Sequence, residues 1–319
     1  MNEDLDGVLE LRVEQLRRES DGVLSVTLAD PEGGVLPAWT PGAHIDLEFP
    51  GMVRQYSLCG DPADRFAYRV AVLREEDSRG GSAHIHDVLR PGDLVEVGGP
   101  RNHFALAPAP RYLFVGGGIG ITPLLPMLAR AEAEGVEWRL VYGGRSRTTM
   151  GFLPELAAHG AKVSVVPEDE HGRLDLDALI AGTAPGTAIY ACGPGGLLDA
   201  LAERCAAAGR ADDLHLERFK AKALDIDPAA EHGFDVVCER SGRTVAVPAG
   251  RSILTSLEEA GISVPNACQD GICGSCEVKI LDGAADHRDS LLSPAQQEGG
   301  QTLMVCVSRT LGDRLVLDL

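Results

Sequence analysis

Between residues 8 and 107, apolar and polar positions alternate in VLELRVEQL, GVLSVTL, HIDLEF and FAYRVAVL, with the turn formers DPEGG, TPG and GDPAD between them. A period of two sends successive side chains to opposite faces, so these segments predict short strands of a barrel or sandwich. One helix is expected after Ser82, in SAHIHDVL, closed by Arg90-Pro91-Gly92. The pattern changes near residue 111. A short apolar strand runs into a glycine-rich turn and then an apolar helix to about Glu134, followed by WRLVYGG, FLPELAAHG, AKVSVVP, LDLDALIAG, TAIYACGP and GLLDALAERCAAAG. Strand and helix alternate through that stretch, which predicts βαβ units around a parallel, doubly wound sheet.

From Lys220 to Gly233 the chain is polar without a clear apolar period, as a linker would be. After it, FDVVCER and TVAVPAG predict a hairpin and ILTSLEEAG a helix. The expectation is therefore α/β plus β in three modules: residues 1–107, 108–222 and 234–319.

Composition narrows the function. Apolar residues at 44% and charged residues at 24% of 319 positions suit a globular chain. Twenty-nine basic against 48 acidic residues leave a net charge of −19, which disfavours nucleic acid or anionic lipid as the main partner. No apolar run approaches the roughly 20 residues of a membrane span, and MNEDLDGVLE lacks the plan of a signal peptide, so a cytoplasmic protein is expected.

Eight cysteines in such a chain do not read as a disulfide framework. Cys59, Cys192, Cys205 and Cys238 are scattered, whereas Cys268, Cys273, Cys276 and Cys306 gather near the C-terminus. Within PNACQDGICGSCEV the spacing is C-x4-C-x2-C, with the fourth cysteine far downstream in LMVCVSRT. That is the plant-type [2Fe–2S] spacing. Gly271 and Gly274 allow the backbone to curl so that amide N–H groups face the cluster sulfurs. The competing reading is a four-cysteine zinc site, but zinc usually takes two C-x2–4-C knuckles. Residues 233–319 resemble a plant-type ferredoxin domain, which implies a β-grasp fold with these four cysteines as cluster ligands.

LFVGGGIGITP, Leu113–Pro123, follows a strand and opens a helix, an arrangement that favours an anion. It lacks the third glycine of G-x-G-x-x-G, since position 121 is isoleucine; Pro123 suits a first helical position. AIYACGPG, Ala188–Gly195, ends an apolar strand at its carboxyl edge, where open α/β sheets bind ligands. Cys192 taken alone is a packed strand-end residue sooner than a functional one. Together the two segments resemble the nicotinamide-binding domain of the ferredoxin–NADP reductase superfamily. The resemblance implies that Gly117, Gly118, Gly120 and Thr122 meet the pyrophosphate, and that Cys192, Gly193 and Pro194 lie by the nicotinamide. Arg145 and Arg147 follow the second strand of the domain, where the adenosine ribose belongs; they do not by themselves separate NADH from NADPH.

RQYS, Arg54–Ser57, matches the flavin motif R-x-Y-[ST] of the same superfamily. The resemblance implies that Arg54 holds a flavin phosphate, Tyr56 stacks on the ring system and Ser57 faces its edge. Taken alone, Tyr56 is a packed strand aromatic and Arg54 a surface charge. Gly80, Gly81 and Ser82 in DSRGGS offer a phosphate nest, or a flexible loop with Ser82 as helix cap. Val70 and Val72 lie on a strand whose backbone faces the flavin's polar rim in this reading. His84 and His86 lie on different faces of a helix, against a metal pair.

The order of flavin barrel, nicotinamide domain and C-terminal ferredoxin resembles the phthalate dioxygenase reductase family over nearly the whole chain. That resemblance implies FMN, because the flavin adenine dinucleotide members usually carry the ferredoxin elsewhere or lack it, and it implies NADH as reductant. It also places Phe219 of HLERF as an aromatic beside the flavin, with a buried strand residue as the equal alternative. Relatives are reductase components for Rieske-type dioxygenases and for oxidative O-demethylases such as the vanillate system, while some related modules feed cytochromes P450. The function expected is transfer of electrons from NADH through FMN and [2Fe–2S] to a terminal oxygenase, with Ser57, Cys192 and Phe219 nearest the chemistry. The chain shows no C-x-H Rieske pair and no evident haem-thiolate loop of its own.

Overall fold

The four alternating segments appear as β1 (Leu9–Ser20), β2 (Val23–Ala29), β3 (His44–Phe49) and β5 (Ala67–Leu73), joined by β4 (Met52–Ser57), which holds RQYS, and by the unexpected β6 (Leu94–Arg101), in a computed structural model that describes residues 8–76, 80–222 and 231–319. They form an antiparallel sheet in the order β4-β3-β6-β1-β2-β5. Its two edges meet: Leu58 bridges Val70, and the Cys59 N–H donates to the Arg69 carbonyl at 2.8 Å. The sheet thus closes into a barrel, which removes exposed edges. Val13, Val26, Leu28, Ile45, Leu47 and Val97 fill its interior.

Helix α1 (Gly81–Asp87) stands where SAHIHDVL predicts it, but its cap is Gly80 and not Ser82. Gly80 has φ +104°, a conformation that serine rarely adopts. The Ser82 hydroxyl instead accepts the Glu75 N–H at 3.1 Å. Residues 77–79 of DSRGGS lie outside the described residues. His84 packs on Phe49 with ring centroids 4.7 Å apart, and His86 Nε2 lies 2.9 Å from the Val72 carbonyl; both have packing roles.

The second sheet is parallel, with β7 (Arg111–Gly117), β8 (Glu137–Gly144), β9 (Val163–Pro167), β10 (Thr187–Cys192) and β11 (Leu214–Glu217) in the order β11-β10-β7-β8-β9. Helices α2 (Leu124–Ala133), α3 (Leu153–Ala157), α4 (Glu168–His171), α5 (Leu176–Ala181) and α6 (Gly195–Ala207) complete it. One face of the sheet buries Phe114, Leu140 and Tyr190 against Leu124, Met127 and Leu128; the other buries Leu113, Val115 and Ile189 against Leu176, Leu198 and Leu201. Strand order reverses between β7 and β10, which makes their carboxyl ends the topological switch point. A 3-10 turn (Gly118–Ile121) separates β7 from α2, so Pro123 is the cap of α2 rather than its first helical residue. Barrel and parallel sheet belong to one compact unit that ends at Glu217. Within it the Asp21 N–H donates to the Thr148 carbonyl at 2.8 Å, and Arg69 pairs with Glu155 at 2.8 Å.

The second unit begins at Arg218, and residues 223–230 of the expected linker lie outside the described residues. Strands β12 (Phe234–Cys238), β13 (Arg243–Val247), β14 (Glu277–Asp282), β16 (Thr302–Met304) and β18 (Arg314–Leu317) form a mixed sheet in the order β13-β12-β18-β14-β16, with β15 (Ala285–Asp286) and β17 (Arg309–Thr310) paired beside it. Helix α7 (Ile253–Glu259) buries Ile253, Leu254 and Leu257 with Val236, Val278 and Leu315 of the sheet. Ser252 caps it, accepting the Thr255 N–H at 3.0 Å. A mixed sheet embracing one helix is the β-grasp arrangement; a second short helix, α8 (Pro294–Gly299), precedes β16.

Candidate functional site

Strand β4 carries Arg54, Tyr56 and Ser57, and α1 begins against them. A Cβ built on Gly81 would lie 2.6 Å from Arg54 Cγ and 3.1 Å from the Tyr56 hydroxyl, so only glycine lets the two segments touch. Arg54 also donates to the Val53 carbonyl at 2.8 Å. Burial pushes the Tyr56 phenol up to about 12, despite the opposing Arg54 charge, so it stays neutral. Val70 and Val72 are buried in the barrel wall and pair with Val26 and Leu24 of β2. The chemistry of this face suits a flavin mononucleotide: a guanidinium and a glycine turn for a phosphate, and a neutral phenol for a flat ring.

At the switch point the glycine turn after β7 meets the strand end of β10. A Cβ on Gly117 would come within 2.7 Å of Pro194 Cδ, and one on Gly120 would overlap the Cys192 carbonyl and lie 2.6 Å from Gly193 N. These glycines are therefore required by close backbone approach, whatever else binds there. Gly118 has φ +55°, and its carbonyl accepts the Tyr142 hydroxyl at 3.1 Å. Thr122 is buried, with its hydroxyl donating to the Ile119 carbonyl at 3.0 Å. Arg145 is exposed at the end of β8, whereas Arg147 is engaged by Glu170 of α4 at 2.8 and 3.1 Å.

A residue that sequence reasoning passed over joins the two halves. Ser57 Oγ donates to Glu217 Oε2 at 3.3 Å, and the Cys192 thiol hydrogen-bonds the same carboxyl. Cys192 and Glu217 are register partners at the ends of β10 and β11. Burial raises the Glu217 carboxyl to about 8, against the lowering effect of both hydrogen bonds. Burial, reinforced by the Glu217 carboxyl, also raises the Cys192 thiol well above its ordinary value, so this cysteine is no thiolate nucleophile. The only sequence signal was an acidic residue closing the apolar strand LHLE. Phe219 belongs to the second unit and is 37% exposed.

In the second unit the four C-terminal cysteines fall into two pairs, Cys268 with Cys273 and Cys276 with Cys306, each sharing a thiol hydrogen bond. Among the described residues no three His, Cys, Asp or Glu side chains gather closely enough to hold one metal ion. Two pairs suit two irons at two thiolates each. The loop is curled by Gln269, Gly271 and Gly274, with φ of 55°, 69° and 75°. That curl aims amides at sulfur. The Asp270 N–H reaches Cys268 Sγ at 3.3 Å, the Ser275 N–H faces Cys273, and the Gly271 N–H faces Cys306. The Ser275 hydroxyl lies 2.9 Å from Cys273 Sγ. A negatively charged cluster fits this donor set.

Comparison with known proteins agrees with both halves. Residues 236–311 match the 2Fe-2S iron-sulfur cluster binding domain. The chain is 45% identical to the phenoxybenzoate dioxygenase subunit beta of Ectopseudomonas oleovorans, over 97% of each chain. It superposes with a TM-score of 0.92 and 47% identity on an intact type IV self-sufficient cytochrome P450 monooxygenase, covering 98% of this chain and 41% of that one. It matches phthalate dioxygenase reductase, a modular structure for electron transfer from pyridine nucleotides to [2Fe–2S], with a TM-score of 0.71 and 36% identity over 98% of both chains. The set FMN, [2Fe–2S] and NADH implied by the earlier resemblance goes with that full-length match. A barrel, a switch-point crevice and a paired-cysteine loop, matched over almost the whole length, make this chain a member of the phthalate dioxygenase reductase family, the electron-transferring reductase components of oxygenase systems.

Proposed function

We propose that the protein takes electrons from NADH and delivers them to a Rieske-type terminal oxygenase, with residues 1–107 binding FMN, 108–222 binding NADH and 234–319 carrying the cluster. FMN when bound accepts a hydride's electron pair and passes electrons on singly, which an obligate one-electron cluster requires. In this reading Arg54 with Gly80, Gly81 and Ser82 holds the phosphate, Tyr56 stacks on the ring system, and the backbone at Val70 and Val72 faces the flavin's polar rim. Gly117, Gly118, Gly120 and Thr122 receive the pyrophosphate of NADH, Arg145 its adenosine end, and Cys192, Gly193 and Pro194 its nicotinamide. Cys268, Cys273, Cys276 and Cys306 hold the irons.

The observation that carries the reading is the Ser57–Glu217–Cys192 contact, because it brings the flavin strand and the nicotinamide strand to one buried point. Neutral Glu217 takes the Ser57 hydroxyl and the Cys192 thiol as donors and so fixes both side chains without placing a charge between two ring systems. A cytochrome P450 partner is the second reading, favoured by 47% identity to the self-sufficient P450. We place this chain, whose own eight cysteines are all free, in the reducing cytoplasm. The test is reconstitution of the purified protein with a Rieske-type oxygenase and, separately, with a P450. The account expects NADH-driven substrate oxidation with the first; turnover with the P450 alone would assign the second, and preference for NADPH would overturn the choice of reductant.

A further inference from the structure

Behind the cysteine loop lies a buried acidic side chain. Asp289 is fully covered, and its Oδ1 accepts the N–H groups of Leu291 and Leu292 at 3.0 and 2.7 Å. Its Oδ2 has no hydrogen-bond partner. The His287 imidazole, 8% exposed, has its Nδ1 3.6 Å from that oxygen, and neither ring nitrogen makes a hydrogen bond. A carboxylate buried with incomplete compensation is costly, so its retention calls for a cause.

The cause is its neighbour. Gly271, in the cysteine loop, sits directly against Asp289: a Cβ there would lie 3.1 Å from Asp289 Cα and 2.6 Å from Val307 Cγ2. The next residue, Ser290, donates its N–H to the Gly271 carbonyl at 3.0 Å, while the Gly271 N–H faces Cys306 Sγ. The turn fastened by Asp289 therefore supports, from behind, a segment that donates to a ligand sulfur. Hydrogen bonds to sulfur, net charge and solvent exposure are what set the potential of such clusters.

We propose that Asp289 is a positioning residue that sets the reduction potential of the cluster. The hydrogen bonds it accepts from Leu291 and Leu292 fasten the turn that holds Gly271 against Cys306, and its charge, on a side chain with no exposed surface, opposes arrival of an electron. The proposal rests on the four cysteines carrying the cluster. Iron and sulfide are therefore assayed first in the wild type, so that a chain without them fails the cluster reading and not the role of Asp289.

The decisive variant is Asp289→Asn in the full-length, flavin-loaded protein, which keeps the acceptor for Leu291 and Leu292 and removes the charge. A redox titration followed by the cluster's electron paramagnetic resonance should show a more positive midpoint, with iron and sulfide content and the visible spectrum of the oxidised protein unchanged. Asp289→Ser, a second short acceptor without charge, should shift the midpoint the same way. A loaded variant with the wild-type midpoint overturns the proposal. Loss of the cluster from both variants also overturns it, since Asp289 would then serve assembly and not potential.

Discussion

Three of the four C-terminal cysteines lie within nine consecutive residues, Cys268–Cys276, whereas Ser57 and Glu217 are 160 residues apart and meet Cys192 only because a closed barrel and a parallel sheet share one unit. The cysteine loop carries its own instructions: three residues at positive φ curl it, and amide N–H groups follow the curl onto sulfur. The crevice carries none locally. It exists because glycines at 117 and 120 let two strand ends touch, and because a strand-end carboxyl stays neutral when water is excluded. A local site should fail outright when one ligand is lost, while a distributed site should weaken in steps.

The largest effect should come from Cys273→Ser. Losing one of four thiolates should abolish the cluster and with it partner-coupled turnover. Flavin content and NADH oxidation by ferricyanide should persist, since neither the barrel nor the parallel sheet draws its core from that loop. Partner-coupled activity that survives in a cluster-free variant would break the separation. Arg54→Ala should act on the other side, costing about 2 kcal/mol of flavin binding, or roughly 30-fold in affinity, through loss of a charge-assisted phosphate contact. Flavin fluorescence titration measures it, and the cluster absorption should not change.

Gly120→Ala should cost about 1–3 kcal/mol, because a Cβ there has no room beside the Cys192 carbonyl. Thermal unfolding reads the loss, and the KM for NADH should rise more than kcat falls if the turn seats the nucleotide. The smallest effect concerns Glu217→Gln. Burial raises this carboxyl from 4.5 to about 8 in the folded protein, so the fold favours its protonated form. The stability tied to that proton is complete below about pH 4.5 and is lost as pH rises toward 8. Glutamine does not ionise. The Tm difference, variant minus wild type, should therefore grow from pH 5 to pH 8; a difference independent of pH would mean that Glu217 is already charged.

Much of this was legible in the residues themselves. Alternation marked the barrel strands, the strand–helix rhythm marked the parallel sheet, and cysteine spacing marked the cluster loop, because each signal is periodic or local. Glu217 was missed because an acidic residue ending LHLE reads as solvent-facing, and only the register of β10 with β11 buries it beside Cys192. Ser82 reads as a helix cap, yet Gly80 holds that place because φ is positive there. Asp289 sits in a polar stretch, HRDS, whose burial depends on the loop folding over it. What a sequence conceals here is the environment of charges, since desolvation is set by segments far away in the chain.

The central claim is that flavin is the obligatory link between NADH and the cluster, and removing only the flavin tests it most directly. Protein stripped of FMN, with its iron and sulfide intact, is mixed anaerobically with NADH while cluster absorption is followed in a stopped-flow instrument. The account predicts no bleaching of the cluster until FMN is restored, and then bleaching that follows flavin reduction. Reduction of the cluster by NADH at the wild-type rate in the flavin-free protein would contradict it.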